Sequence, residues 1–293
     1  MGSGWLIIRI ETMSKLRYYQ KIMRSQKELS LDNKIIHAIT RASPTGAALK
    51  TAHLLAACDE IQALQEYANT VSIKRLGYND HGPVHMRSVA LNGVIMMELL
   101  RKAGIATSLE TEECGTFDDS LTAVLVAAYL HDLGMSIGRQ DHELHSAYLS
   151  NPIIDRILSE VFPENIGKRV MIRSLALEGI AGHMGNRQIH SLEAGVILVA
   201  DGCDMKKGRA RIPMAIAHSP KVGDIHKYSA NSIENVIIQA GKEKPIRIEV
   251  HMSSEVGLFQ VEEVLLGKIA ASTARAYIEL FAIVNDGEAK RYM

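Results

Sequence analysis

The feature that most constrains the fold is a nearly continuous apolar run from Leu121 to Leu130, near the middle of the chain. The run is about half as long as the roughly 20 residues that a membrane-spanning helix needs, so it predicts a helix buried in a protein core. The hydrophobic content of 47% is typical of a globular protein rather than a disordered one. A length of 293 residues predicts one or two domains.

Through the first three quarters of the chain the apolar residues recur at helical spacing. Between Lys15 and Tyr67 this spacing predicts two helices that are joined by a turn at residues 43–46. Pro83, which follows Asp80-His81-Gly82, predicts the start of a third helix that extends to Leu100.

The apolar run belongs to a predicted core helix that starts after Ser120 and ends at Gly134. Asn151-Pro152 predicts a break between two of the helices that follow. These later helices are predicted over residues 139–149, 153–161, 165–182 and 191–205.

The apolar spacing changes to two near residue 220, which is typical of half-buried strands. Residues 246–252 show the clearest alternation, residues 258–271 return to helical spacing, and residues 276–284 are again strand-like. The tail therefore predicts the order β-β-α-β. The whole chain is predicted to be mainly α, with an N-terminal helical extension (1–79), a helical domain (80–221) and a small α+β domain (222–293).

Charge and cysteine content argue against several classes of protein. The chain has 33 Lys and Arg against 33 Asp and Glu, so its net charge gives no reason to expect nucleic acid or an anionic membrane as the main partner. Its three cysteines lie far apart, which supports neither a disulfide framework nor a zinc ribbon. The apolar stretch Trp5–Ile8 is too short for a signal peptide. We therefore expect a cytoplasmic protein.

Two carboxylates stand where an unpaired charge would be costly. His131-Asp132 ends the apolar helix, and Asp201 lies inside the apolar run 196–202. A metal ion would compensate the buried charge at both places. The alternatives are a His-Asp pair that caps the helix through backbone hydrogen bonds, and a histidine or other cation that pairs with Asp201.

Seven of the twelve histidines lie between residues 81 and 190. His85 shares a helix face with Val89 and, by itself, is more typical of a core histidine. His142 and His145 are three residues apart, which suits two ligands, a ligand with its hydrogen-bonding neighbour, or an exposed polar face. His183 follows a helix end and is uninformative without the others.

Taken in order, these positions resemble the HD-domain metal-dependent phosphohydrolase superfamily. The resemblance covers residues 80–206. The matching elements are His85 in H-x-x-x-H-x-R-x-V, His131-Asp132 in Y-L-H-D-L-G, His145 in H-S-A-Y-L-S-N-P-I-I, His183 in I-A-G-H and Asp201 in L-V-A-D-G-C-D.

The resemblance implies an HD-type helical bundle that binds one or two divalent transition metal ions, such as Fe or Mn, between its helices. One ion would be held by His85, His131, Asp132 and Asp201. A second would be held by His145 and His183, with Asp132 as the bridge. His142 and His190 match no ligand position. A cyclic di-guanylate substrate is disfavoured because no G-Y-P follows His183, which is also a single rather than a paired histidine.

Such a ligand set suits hydrolysis of a phosphomonoester or phosphodiester by a metal-activated water, with Asp132 at the centre. Negative charge that develops on the phosphoryl group during hydrolysis is stabilised by nearby cations. Arg87 and Arg139 are the nearest catalytic candidates in the sequence. Further cations follow Asp201. They are Lys206, Lys207, Arg209 and Arg211.

The expected partner is a small phosphorylated substrate, with a nucleotide as the favoured example. Two alternatives stay open, an HD-type di-iron oxygenase and a metal-binding regulatory or scaffold module. The α+β tail could serve dimerisation or substrate gating, so a homo-oligomer is compatible with the sequence.

Overall fold

A computed structural model describes residues 24–43, 46–205, 225–285 and 287–293. Over these ranges the chain is mainly helical and carries a four-stranded sheet near its C-terminus, which confirms the mainly α prediction. No helix in these ranges has the length and apolar character needed to cross a membrane.

The helices are numbered in chain order. They are α1 Gln26–Ala42, α2 Ala47–Ala57, α3 Asp59–Thr70, α4 Pro83–Lys102, α5 Ser108–Thr111, α6 Phe117–Leu130, α7 His142–Val161, α8 Ile166–Gly182, α9 Leu192–Gly202, α10 Ile225–Ser232 and α11, which comprises the contiguous segments Leu258–Gln260, Val261–Leu265 and Leu266–Ala271. A π-helical turn, Val71–Arg75, extends α3, and a 3-10 turn, Leu133–Ser136, separates α6 from α7.

Helix α6 is the buried core helix that the apolar run predicts. Every residue from Asp119 to Leu130 is buried, and the helix packs against α2, α4, α8 and α9. It starts earlier than predicted because Thr116 and Asp119 form a capping box around its first turn. It also ends earlier than Gly134, at Leu130, so the next two residues lie at the mouth of the bundle.

Two helix predictions are wrong. Pro152 does not interrupt α7, because it lies on the exposed side of the helix and the carbonyl that loses its partner belongs to the 78% exposed Tyr148, within reach of water. The N-terminal region has three helices instead of two, since Cys58 takes an extended conformation between α2 and α3. Residues 15–23 of that prediction lie outside the described ranges.

The tail confirms the order β-β-α-β and adds α10 before it and a short strand after it. The strands are β1 Ile233–Ala240, β2 Ile246–Met252, β3 Ile278–Val284 and β4 Lys290–Arg291. They lie in the order β1-β2-β3-β4, and β2 is antiparallel to β1 and parallel to β3. Helix α11 makes the crossover that two parallel strands require.

The tail packs closely on α9. A Cβ atom added at Gly195 would overlap Thr273 Oγ1. Ser272 Oγ donates a hydrogen bond to the Gly195 carbonyl (2.9 Å), and Thr273 Oγ1 donates to the Ser191 carbonyl (2.6 Å). Buried apolar residues of the sheet and of the helical bundle form one continuous cluster. The division into three domains stays a prediction.

A buried charge network joins the N-terminal helices to the bundle. The fully buried Arg87 on α4 donates from Nε to Asp32 Oδ1 (2.8 Å), and from its terminal nitrogens to Gln62 (3.0 Å) and Gln65 (3.1 Å). The Tyr129 hydroxyl donates to the same Asp32 oxygen (2.9 Å). The network therefore ties α1 and α3 to α4 and α6.

We expect Asp32→Ala to lower the free energy of unfolding by about 3–5 kcal/mol, because it leaves the Arg87 charge buried beside only neutral partners. Urea titration of the metal-free protein measures this loss. The matched control is Glu60→Ala, which removes a partner from the exposed Arg156–Glu60 pair and should cost about 0–1 kcal/mol. Equal losses in the two variants would contradict the structural role of Arg87.

Candidate metal centre

Side chains from five helix ends converge at one end of the bundle. His85 lies in the first turn of α4, and His142 begins α7. The others follow or end helices: His131 and Asp132 after α6, His183 after α8 and Asp201 in the last turn of α9.

One oxygen of Asp132 faces the first group of ligand atoms. His85 Nε2 lies 3.2 Å from Asp132 Oδ2 and 3.2 Å from Asp201 Oδ1. His131 Nε2 lies 3.4 Å from Asp132 Oδ2 and 3.7 Å from Asp201 Oδ1. His85, His131 and Asp201 each offer a ligand atom within 4.8 Å of the others, so the group can hold a metal ion.

The other oxygen of Asp132 faces a second group. Asp132 Oδ1 lies 3.2 Å from His142 Nε2 and 3.5 Å from His183 Nε2. The two imidazole nitrogens are 3.2 Å apart. Asp132 thus has a pair of histidines on each of its oxygens, and His131, Asp132 and His183 also offer ligand atoms within 4.8 Å of one another.

The far nitrogens of these histidines fix which atom faces inward. The Nδ1 atoms of His131, His142 and His183 lie 2.9, 2.9 and 2.7 Å from backbone carbonyls, which can only accept a hydrogen bond. His85 Nδ1 lies 2.7 Å from Asp204 Oδ2. Since Nδ1 carries the proton in each neutral ring, each Nε2 presents a lone pair to the centre.

The resulting centre is rich in lone pairs and poor in donors. His85 Nε2 and His131 Nε2 are only 3.2 Å apart, and both face carboxylate oxygens. Two lone pairs at this distance require either a proton or a cation between them. A metal ion could satisfy these atoms, since imidazole nitrogen and carboxylate oxygen are both metal ligands.

The charges of the buried groups follow from their surroundings. Burial opposes ionisation of Asp132, but the surrounding histidines, with His131 first among them, together outweigh it and hold the pKa of the carboxyl well below its usual value. Burial also opposes ionisation of Asp201, and Lys268 holds that pKa well below its usual value. Burial lowers the pKa of His183 to about 4, so this ring is neutral at neutral pH. Burial lowers the pKa of His131, but the carboxylates of Asp132 and Asp201 together raise it more, so the net shift is upward.

Two residues that sequence reasoning left unassigned support the site. Asp204 accepts from His85 Nδ1 and so orients that ring. Lys268 on α11 donates to Asp201 Oδ2 and, at 2.8 Å, to the His183 carbonyl. Asp204 is the last residue of the L-V-A-D-G-C-D element, three residues after Asp201, and a second aspartate at this spacing is the signal that the sequence offers. Nothing in the local sequence marks Lys268.

A cleft of about 720 Å³ opens from the centre. Asp132, His183 and Asp201 lie in its wall on the side of the helical bundle, and α11 forms the opposite wall. Arg139 also lines the cleft, and its Nη1 lies 3.4 Å from His142 Nε2. Arg139 therefore lies beside the site, and its catalytic role stays a prediction.

The structure brings His142, and not His145, to Asp132. Helix α7 turns His142, Ser146 and Ser150 inward at a spacing of four, and His145 is only half-buried beside that face. The motif in the sequence predicts His145 as the ligand, whereas the register of α7 turns His142 toward Asp132.

Arg87 was expected to face the substrate, and this expectation is also corrected. Its guanidinium binds Asp32, Gln62 and Gln65 inside the bundle. The remaining cationic candidates, Lys206, Lys207, Arg209 and Arg211, lie outside the described ranges.

One curated protein is similar over most of its length. Uncharacterized protein MJ1020 of Methanocaldococcus jannaschii is 44% identical over 226 residues, which are 77% of this chain and 85% of the relative. The chain belongs to the family of this protein. The name of the relative states no activity, so membership of this family leaves the reaction open.

A second relative is more distant. Ribonuclease Y of Clostridium tetani is 25% identical over 139 residues, which are 46% of this chain and 24% of the ribonuclease. The chain thus matches about a quarter of that enzyme. No protein-family model matches the chain, and no solved structure matches it.

We expect His142→Ala to lose about one equivalent of metal, because it removes a ligand from the Asp132 Oδ1 side of the centre. His145→Ala and the exposed His190→Ala should keep the full metal content. Elemental analysis of the purified variants measures it. Loss of metal from His145→Ala with full content in His142→Ala would show that the ligands follow the motif and not the register of α7.

We expect Asp204→Asn to weaken metal binding roughly 10- to 100-fold, because the His85 ring loses the carboxylate that holds its Nδ1 proton. Competition with a chromogenic chelator measures the affinity. Asp155→Asn, which neutralises a half-exposed carboxylate on α7, is the control and should bind metal like the wild type. An unchanged affinity in Asp204→Asn would remove the orienting role.

Proposed function

We propose that the chain is a metal-dependent phosphohydrolase of the HD type that cleaves a phosphomonoester or phosphodiester, with a nucleotide as the favoured substrate. The observation that carries the proposal is the position of Asp132, whose two oxygens face separate groups of inward-directed histidine nitrogens. His85, His131 and Asp201 would hold one divalent ion, and His142 and His183 the other. Asp132 would contact both.

Ions held in this way lower the pKa of a bound water and neutralise phosphoryl oxygens. The chain's own residues supply the rest of the chemistry. Carbonyl groups and Asp204 accept hydrogen bonds from the Nδ1 atoms, so the rings are held with Nε2 toward the centre. Arg139 lines the cleft and would face the phosphoryl group.

The size of the cleft and the distant relative agree with this reaction class. A volume of about 720 Å³ lies within the roughly 300–1,000 Å³ of small-molecule sites. Ribonuclease Y is by its name an enzyme that cleaves RNA, and its similarity supports phosphodiester chemistry for the shared region. Because the net charge of this chain is zero, we favour a small phosphorylated substrate over a polynucleotide.

The test is elemental analysis of anaerobically purified protein, followed by a phosphatase and phosphodiesterase screen with each bound metal. We expect a transition metal to co-purify and phosphate or a nucleoside monophosphate to be released. Two bound irons with a redox-dependent spectrum and no phosphoester turnover would contradict the proposal in favour of an oxygenase. Absence of bound metal after reconstitution would contradict both.

We expect Asp132→Ala to lose most of the metal and all measurable turnover together, since both groups of ligands depend on this carboxylate. His190→Ala is the matched control and should keep metal and turnover. Full metal occupancy with normal turnover in Asp132→Ala would remove the central claim.

A further inference from the structure

Lys268 reaches the metal centre from a part of the chain that the HD resemblance does not include. The resemblance ends near residue 206, whereas Lys268 lies on α11, between β2 and β3. Its side chain is only 12% exposed, and its ammonium contacts Asp201 Oδ2 and the His183 carbonyl. It therefore touches both groups of proposed ligands.

The packing of α11 on α9 holds Lys268 in this position. A Cβ atom added at Gly202 would lie 3.1 Å from Lys268 Cδ and 3.1 Å from Leu265 Cδ1. Gly195 lies two turns earlier on α9. Its lack of a side chain likewise allows Ser272 to approach and to donate a hydrogen bond to the Gly195 carbonyl. Glycine thus stands on α9 at both points of close approach, and the lysine stem lies against the helix that carries Asp201.

The ammonium has a donor to offer to a ligand. It carries three N–H groups, and two of them are directed to Asp201 and to His183 in the part of the chain that the structure describes. Lys268 lines the cleft together with the carboxylates of Asp132 and Asp204. Among these acidic groups a phosphoryl oxygen would need a cationic donor.

We propose that Lys268 is a catalytic residue that binds a phosphoryl oxygen of the substrate while it holds Asp201, so that the C-terminal α+β segment completes the active site. The inference rests on the proposed function for its choice of ligand. The competing interpretation is that Lys268 only positions Asp201 for metal binding.

The experiment measures the binding of inorganic phosphate to the full-length, metal-loaded protein by calorimetry, together with its metal content. We expect Lys268→Gln, whose amide can still donate to Asp201, to keep its metal and to bind phosphate roughly 10- to 100-fold more weakly. Lys268→Met should behave alike, and Lys268→Arg should recover part of the affinity. The control is Lys244→Met, which removes a lysine of the same segment that also donates to a carbonyl and lies outside the cleft.

Three results would overturn the proposal. Phosphate affinity in Lys268→Gln equal to that of the wild type would show that the ammonium makes no contact with the phosphoryl group. Loss of metal from both Lys268→Gln and Lys268→Met at saturating metal would make Lys268 a positioning residue only. Absence of phosphate binding by the wild type would contradict the contact outright.

Turnover separates this inference from the proposed function. A wild type that hydrolyses phosphoesters while its Lys268 variants bind phosphate normally would leave the function standing and remove the role of Lys268. If phosphate binding depends on Lys268 but the protein has no phosphoesterase activity, the role of Lys268 in phosphate binding would stand and the proposed function would be contradicted.

Discussion

The rest of the structure depends on one buried carboxylate. Asp132 is 2% exposed and ionised, and four imidazole nitrogens and a second carboxylate surround it. Histidine protons can compensate only part of this charge, since burial keeps His183 neutral at neutral pH. A metal ion held by these side chains would offset the imbalance.

The bundle supplies the rigidity that such a centre needs. Helix α6 is buried along nearly its whole length, so its C-terminal end, and with it His131 and Asp132, is fixed by packing on several sides. Helix ends leave carbonyls without helical partners, and those of Ala128 and Ile180 accept the Nδ1 protons of His131 and His183. The same ends thus deliver the ligands and set their tautomers.

Local pattern predicted most elements and part of the site. The apolar run predicted α6, Pro83 predicted α4, and the alternation at residues 246–252 predicted β2. The sequence-based predictions of site residues failed where the position of a side chain depends on residues far away in the sequence. Arg87 finds Asp32 across 55 positions, Lys268 finds Asp201 across 67, and the choice of His142 over His145 depends on how α7 packs. The spacing of apolar residues predicts which face of a helix or strand is buried. It does not predict which polar residue from a distant part of the chain contacts that face.

The C-terminal α+β segment packs closely on the bundle and contributes α11 to the wall of the cleft. Sheet and bundle share one apolar cluster, and Ser272 and Thr273 fasten the segment after α11 to α9 at Gly195 and Ser191. A hinge between the tail and the bundle would expose this shared apolar surface at a cost that rises with its area. Lys268 therefore sits in a wall that is as fixed as the ligands themselves, and a cation held this firmly beside Asp201 loses little further freedom when a ligand enters the cleft.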